Sequence, residues 1–128
     1  MIQITIPVAP VTKKNSQQIV YKNGRPIIIP SAKYKKYEKE CGRFIEPPAV
    51  PVKEPVNVQC LYYMSTRRRV DLSNLLEATH DILVKYGVLE DDNSNIIVSV
   101  DGSRVLYDKH NPRTEICITG AESEAGRE

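Results

Sequence analysis

Polar and apolar residues alternate with a period of two from the start of the chain: IQITI, residues 2 to 6, reads as a strand that stops at Pro7 and Pro10. The polar, basic segment VTKKNSQ that follows reads as a loop. QQIVY and RPIII then flank Asn23-Gly24, and two residues that tolerate positive φ between apolar runs predict a hairpin. Pro26 puts its strand at an edge or delays its start. From Ser31, a fitting N-cap, the period changes to that of a helix carrying Tyr34, Tyr37, Cys41, Phe44 and Ile45 on one face, with Lys36, Lys39 and Arg43 on another. EPPAVPVKEP is a proline-rich connection. VNVQCLYYM, residues 56 to 64, predicts a strand with Val56, Val58, Cys60 and Tyr62 on one face.

The clearest element is a helix over 71–86, because Leu72, Leu75, Leu76, Thr79, Ile82, Leu83 and Tyr86 form one stripe at ~100° per residue and Gly87 supplies a C′ stop. Strands near 96–100 and 113–119 complete the chain, joined by DGSRVLYDKHNP. The order β-β-β-α-β-α-β-β, without a regular βαβ repeat, predicts an α+β fold: a mixed, largely antiparallel sheet with two helices. A single domain over 1–119 is expected, followed by a polar acidic tail, 120–128, expected to be disordered.

A chain of 128 residues has the size of one ordinary domain. Cys41, Cys60 and Cys117 are an odd set without a close pair, which suits reduced, packed thiols in a cytoplasmic protein. Neither a signal peptide nor a bilayer-spanning run is visible, so no membrane role is expected. The net charge of +2 conceals a division. Residues 1–69 hold 13 Lys+Arg against 4 Asp+Glu, whereas residues 70–128 hold 5 against 12. One part of the surface should therefore attract a polyanion and another collect carboxylates.

The sign changes between Arg69 and Asp71. On the helical wheel Asp71, Asn74, Ala78 and Asp81 share a flank beside the apolar stripe, and the loop holding Asp91 and Asp92 follows soon after Gly87. Carboxylates brought together repel unless a cation joins them, and magnesium, which takes one or two carboxylates and leaves room for phosphate oxygens, suits such a set. Two readings stand side by side. Asp71 and Asn74 also fit an N-cap, and Glu90, Asp91 and Asp92 an ordinary solvated turn. A calcium loop from Asp91 is excluded because Ile96 stands at the tight-turn glycine and Gly102 at the final glutamate. His80 and His110 lie far from any cysteine pair, which argues against zinc, and His80 falls on the polar face, where it is expected to be solvated. Nucleophilic triads and glycine-rich phosphate loops have no foothold.

Arg67, Arg68 and Arg69 directly precede Asp71, so guanidinium groups would meet phosphates beside any metal there. Lys13, Lys14 and Asn15 form a second basic cluster, and Lys36, Lys39 and Arg43 a third. Together they favour nucleic acid as the partner.

The run RRRVDLSNL with Asp71 and Asn74, then Asp81-Ile-Leu, Gly87-Val-Leu and Asp91-Asp92, resembles the signature of the RusA family of Holliday-junction resolvases. The early strand with its proline turn, the KKNS loop, GRPIIIPS and the Tyr/Lys-rich helix are similar as well, so the likeness extends to about residue 119. It implies a homodimeric, magnesium-dependent crossover junction endodeoxyribonuclease, with manganese as a substitute, that nicks four-way junctions symmetrically in DNA recombination and repair, often carried by prophages. Carried over, the likeness puts Asp71 at the first essential aspartate, Asn74 at the motif's asparagine and Asp92 at the later essential aspartate. Asp91 precedes the latter, and Asp81 matches a mid-helix acidic residue. Asp71, Asp91, Asp92 and Asn74 are thus the expected catalytic set; Asp71, Asp81, Asp91 and Asp92 are the expected metal ligands. Arg67, Arg68, Arg69, Lys13, Lys14 and Asn15 are the expected DNA contacts. Two positions depart: Ser73 replaces a second aspartate, a weaker neutral ligand, and Glu77 replaces a lysine. Those departures leave two alternatives: a junction-binding protein with weak or no catalysis, and a nuclease for other branched DNA in phage replication.

Overall fold

The computed structural model describes residues 1–13 and 17–121. Along them run β1 (Ile2–Ile6), β2 (Gln17–Lys22), β3 (Arg25–Pro30), α1 (Ala32–Gly42), β4 (Val56–Met64), α2 (Leu72–Lys85), β5 (Ile97–Ser99), β6 (Arg104–Tyr107) and β7 (Arg113–Gly120). The expected order and the α+β class are therefore found, with one further short strand, β6, inside the connection between the last two expected ones. Lys14 and Asn15 lie outside the described residues, as do residues 122–128 of the acidic tail.

The main sheet follows the order β1-β7-β4-β5, with β6 also on β4. β7 runs antiparallel to both β1 and β4, whereas β5 and β6 run parallel to β4. β5 occupies the N-terminal end of that edge, at Val56 and Asn57, and β6 the C-terminal end, from Leu61 to Met64. The period of two decides which side faces inward. Ile4 and Ile6, then Val56, Val58, Cys60 and Tyr62, then Thr114, Ile116 and Ile118 are buried. Both helices pack on that face, α1 through Tyr34, Tyr37 and Cys41, α2 through Leu75, Ala78, Thr79, Ile82 and Leu83. Each large apolar side chain so buried contributes about 1.5–3 kcal/mol.

Local chemistry sets the ends of the helices. Ser31 Oγ accepts from the Tyr34 N–H at 3.2 Å and starts α1. The helix stops at Gly42, so Phe44, expected on its buried stripe, is exposed, while Ile45 reaches the core from the turn beyond. Gly42 is also a close contact: a Cβ there would lie 2.5 Å from Tyr86 Cε1. Tyr86 Oη in turn donates to the Glu38 carbonyl at 2.9 Å, tying the end of α2 to α1. Gly87 ends α2 in the left-handed region at φ 78°, and Val88 and Leu89 return directly into the core. A buried hydroxyl pair on this face, Tyr62 Oη and Thr79 Oγ1 at 2.7 Å, is completed by Thr79 donating to the Leu75 carbonyl.

β2 and β3 form a separate two-stranded sheet whose turn, Asn23 at φ 54° and Gly24 at φ 76°, is the expected hairpin. Ile19 pairs with Ile28 and Tyr21 with Pro26 on one face, and Ile19, Tyr21 and Ile28 are largely exposed there. The three cysteines are free, and burial pushes the Cys41 and Cys60 thiols up to about 11, so both rest as neutral packed groups. No helix among the described residues is long and apolar enough to cross a membrane.

Candidate active site

The chain leaves β4 at Met64, crosses Arg67, Arg68 and Arg69, and enters α2 at Asp71. All three arginines are exposed, and among the described residues none forms an ion pair. Asp71 occupies the N-cap position by backbone, since its carbonyl accepts from the Asn74 and Leu75 N–H groups at 3.1 and 3.2 Å. Its side chain makes no capping bond. Instead Asp71 Oδ2 accepts from Asn74 Nδ2 at 3.2 Å, so Asn74 orients an exposed carboxylate at the end of the helix. The N-cap reading thus describes the backbone of Asp71 and not its side chain. The unpaired N–H groups of the first turn and the helix dipole favour negative charge at this end.

The acidic loop separates into two kinds of residue. Asp91 spends both oxygens on its own turn: Oδ1 accepts from the Asp92 N–H at 2.7 Å and Oδ2 from Asn93 Nδ2 at 3.2 Å. The Asp92 backbone N–H, followed by the Asp92 side chain and the Asn93 amide, holds the Asp91 carboxyl below the usual range. Asp92 is exposed, and its carboxylate forms no ion pair among the described residues, its side chain meeting only that of Asp91. The solvated-turn reading therefore suits Asp91, and Asp92 stays available.

Asp81 lies elsewhere. It is half-buried and meets Lys13 Nζ at 3.5 Å, which commits one expected DNA-contacting lysine to an ion pair. Ten residues of helix separate Asp81 from Asp71, about 15 Å along the axis. Oxygens around one magnesium ion stand about 2.0–2.1 Å from it, so these two side chains cannot share a single ion. No three His, Cys, Asp or Glu side chains among the described residues converge as a ligand set. The expected quartet of Asp71, Asp81, Asp91 and Asp92 is thus not assembled as one cluster, because helix length separates two of its members and a turn occupies a third.

His80 departs from its expected solvation. Its Nε2 is buried without a hydrogen-bond partner, and burial lowers the imidazole below its ordinary value, although the Asp92 and Asp81 carboxylates act the other way. Ser73 lies on the same side of α2 as His80, seven residues earlier, and Glu77 lies between them and is exposed. His80 sits next to the apolar stripe of α2, the one sign of its burial that the sequence carried. Tyr107 escaped notice as well: the Arg67 guanidinium carbon stands 4.0 Å from its ring centroid.

An arginine-led helix start with an exposed aspartate and asparagine, followed by an acidic loop, is a nuclease-like arrangement that a comparison with protein families decides. The family model described as endodeoxyribonuclease RusA matches residues 7–119. This chain belongs to the RusA family. It is accordingly an endodeoxyribonuclease, a hydrolase of DNA phosphodiesters. The match spans β2 to β6 entire and nearly all of β7, so the RusA assignment covers both helices and the acidic loop together. A search of curated proteins finds no match.

Proposed function

We propose that this RusA-family protein is a magnesium-dependent resolvase that acts as a homodimer on four-way DNA junctions, nicking two opposed strands in recombination and repair. The observation that carries the reading is the start of α2, where three arginines without an ion pair among the described residues lead into an exposed carboxylate that Asn74 orients.

The donors suit a hard cation held sparingly. Magnesium characteristically takes one or two carboxylates and completes its shell with water and phosphate, so it needs no three-carboxylate cluster. Asp71 and Asp92 are the carboxylates that remain free to hold it, with Manganese as a substitute. Glu77 can add a third, since helical side chains lean toward the N-terminus and its carboxylate would overlie Ser73 one turn earlier. A bound divalent ion would supply Lewis acidity and an activated water. The protein's own groups do the remaining work. Arg67, Arg68 and Arg69 grip phosphates on either side of the scissile bond, and Asn74 keeps Asp71 from rotating away. Asp91 shapes the turn that presents Asp92. Lys13 and Asp81 brace the neighbouring strand of chain against α2.

Homodimerisation suits a two-fold substrate, since paired sites related by a two-fold axis meet two opposed strands. The exposed apolar face of the hairpin, with Ile19, Tyr21 and Ile28, supports such a contact, because a two-stranded sheet is marginal on its own.

The test is cleavage of a synthetic four-way junction with magnesium, in wild type and Asp92→Asn. Wild type should cut in paired positions and the variant at least about 100-fold more slowly. Equal cutting by both removes Asp92 from the site. Junction binding in EDTA with no cutting in magnesium or manganese favours the binding protein, and preferential cutting of flaps favours a nuclease for other branched DNA.

A further inference from the structure

Two arginines in this protein lie over tyrosine rings, and their surroundings differ. The Arg113 guanidinium carbon stands 3.7 Å from the Tyr63 ring centroid. Its Nε donates to Glu115 at 2.7 Å, and its Nη1 donates to Asp108 and to the Asn111 carbonyl, each at 2.9 Å. Charge and donors are thereby consumed within the fold. Arg67 stands 4.0 Å from the Tyr107 centroid with no carboxylate in ion-pair range among the described residues. Its donors are left for a partner.

The position of this second stack follows from the sheet. β4 and β6 run parallel and end together, Met64 opposite Tyr107, and the Asp108 N–H closes the pair on the Met64 carbonyl at 2.9 Å. Beyond Met64 the chain turns straight into the arginines that lead to Asp71. A shallow cleft opens at this rim, lined by Met64, Thr66, Arg67, Arg68, Val105 and Tyr107. Both Val105 and Tyr107 are 38% exposed. The lining is mixed: an apolar side, an aromatic ring and two free guanidinium groups.

A site for phosphate alone would need only the cations. A ring and an apolar wall beside them match a nucleobase joined to its phosphate, because any base offers a π-face for stacking and a backbone anion within reach of arginine. Bases inside a duplex have both faces covered; at a branch point those faces come free. We propose that the Arg67–Tyr107 cleft receives an unstacked base at the branch of the DNA substrate, the base taking the place of the Arg67 guanidinium on the Tyr107 ring as Arg67 moves to join Arg68 on its phosphate, and so distinguishes branched DNA from duplex. This rests on the nuclease reading and names a specificity determinant for it. Tyr107 takes no part in the hydrolysis itself.

The experiment uses the full chain in EDTA with two fluorescent probes, a four-way junction carrying 2-aminopurine beside the branch and a single strand carrying 2-aminopurine internally. Wild type and Tyr107→Phe should change the fluorescence of both probes. Tyr107→Ala should lose the change and bind both about 5- to 100-fold more weakly, with duplex affinity unaltered and the melting temperature close to that of Tyr107→Phe. An unchanged fluorescence response and affinity in Tyr107→Ala overturns the proposal, as does an equal loss on junction and duplex. A wild type that prefers no junction over duplex defeats the resolvase reading by itself, while the single-strand probe still reports whether Tyr107 stacks on a base.

Discussion

The two sides of α2 follow opposite rules. On its inner side Leu75, Ala78, Ile82 and Leu83 are buried to within 2% exposure and the one polar residue, Thr79, is bonded to Tyr62 and to its own helix. On the rim Arg67–Arg69 and Asp71 are exposed, and apart from the contact with Asn74 and the stack on Tyr107 their charges meet nothing in the described chain. The same helix is thus closed where it supports the fold and open on the rim proposed to meet DNA. If stability resides on the closed side and the proposed chemistry on the open one, substitutions should separate them.

The largest effect belongs to the closed side. Leu83→Ala removes a side chain with 0% exposure, and the transfer and cavity terms together should destabilise the protein by about 2–5 kcal/mol, measured by urea unfolding. A loss below about 1 kcal/mol would mean that the α2 interface relaxes far more than its packing suggests. On the open side Asp71→Asn should do the reverse: junction cleavage falls about 100-fold or more, while unfolding shifts by no more than about 1 kcal/mol, the scale of a charge at a helix end. If unfolding shifts more and cleavage less, the division between the two sides fails.

The smallest effect sharpens the comparison at the Arg113 stack, which is closed although it lies on the surface. Hydrogen bonding from Arg113 holds the Asp108 carboxyl below the usual carboxylate range. The unfolded chain therefore takes up this proton at a higher pH than the folded one, so the stabilisation is complete above about pH 4 and is lost as pH falls below it. The melting-temperature gap between wild type and Asp108→Asn should be modest at pH 6 and close as pH approaches 2. A gap that persists at low pH would assign the effect to shape and not to charge.

Much of the fold was legible in advance because its signals are local. The stripe of α2, the alternation of β4, the Ser31 cap and the Asn23-Gly24 turn each depend on residues a few positions apart, and all appear as expected. β6 was missed because a four-residue strand paired along one edge carries little period of its own. Phe44 was misplaced because the end of α1 coincides with the close contact of Gly42 with Tyr86, a residue more than forty positions away.

In the site, residue types and spacing put the arginines, Asp71, Asn74 and the acidic pair forward as candidates, since a phosphodiester and its cation call for those groups, and the resemblance to the RusA family gave them their expected roles. Only the tertiary structure decided which of them remain free. It separated Asp92 from Asp91 by a turn, removed Lys13 and Asp81 into an ion pair, buried one nitrogen of His80 and set Tyr107 under Arg67. The physical reason is range: a helix or a turn is chosen by neighbours in sequence, whereas the availability of a charge depends on whichever distant segment folds against it.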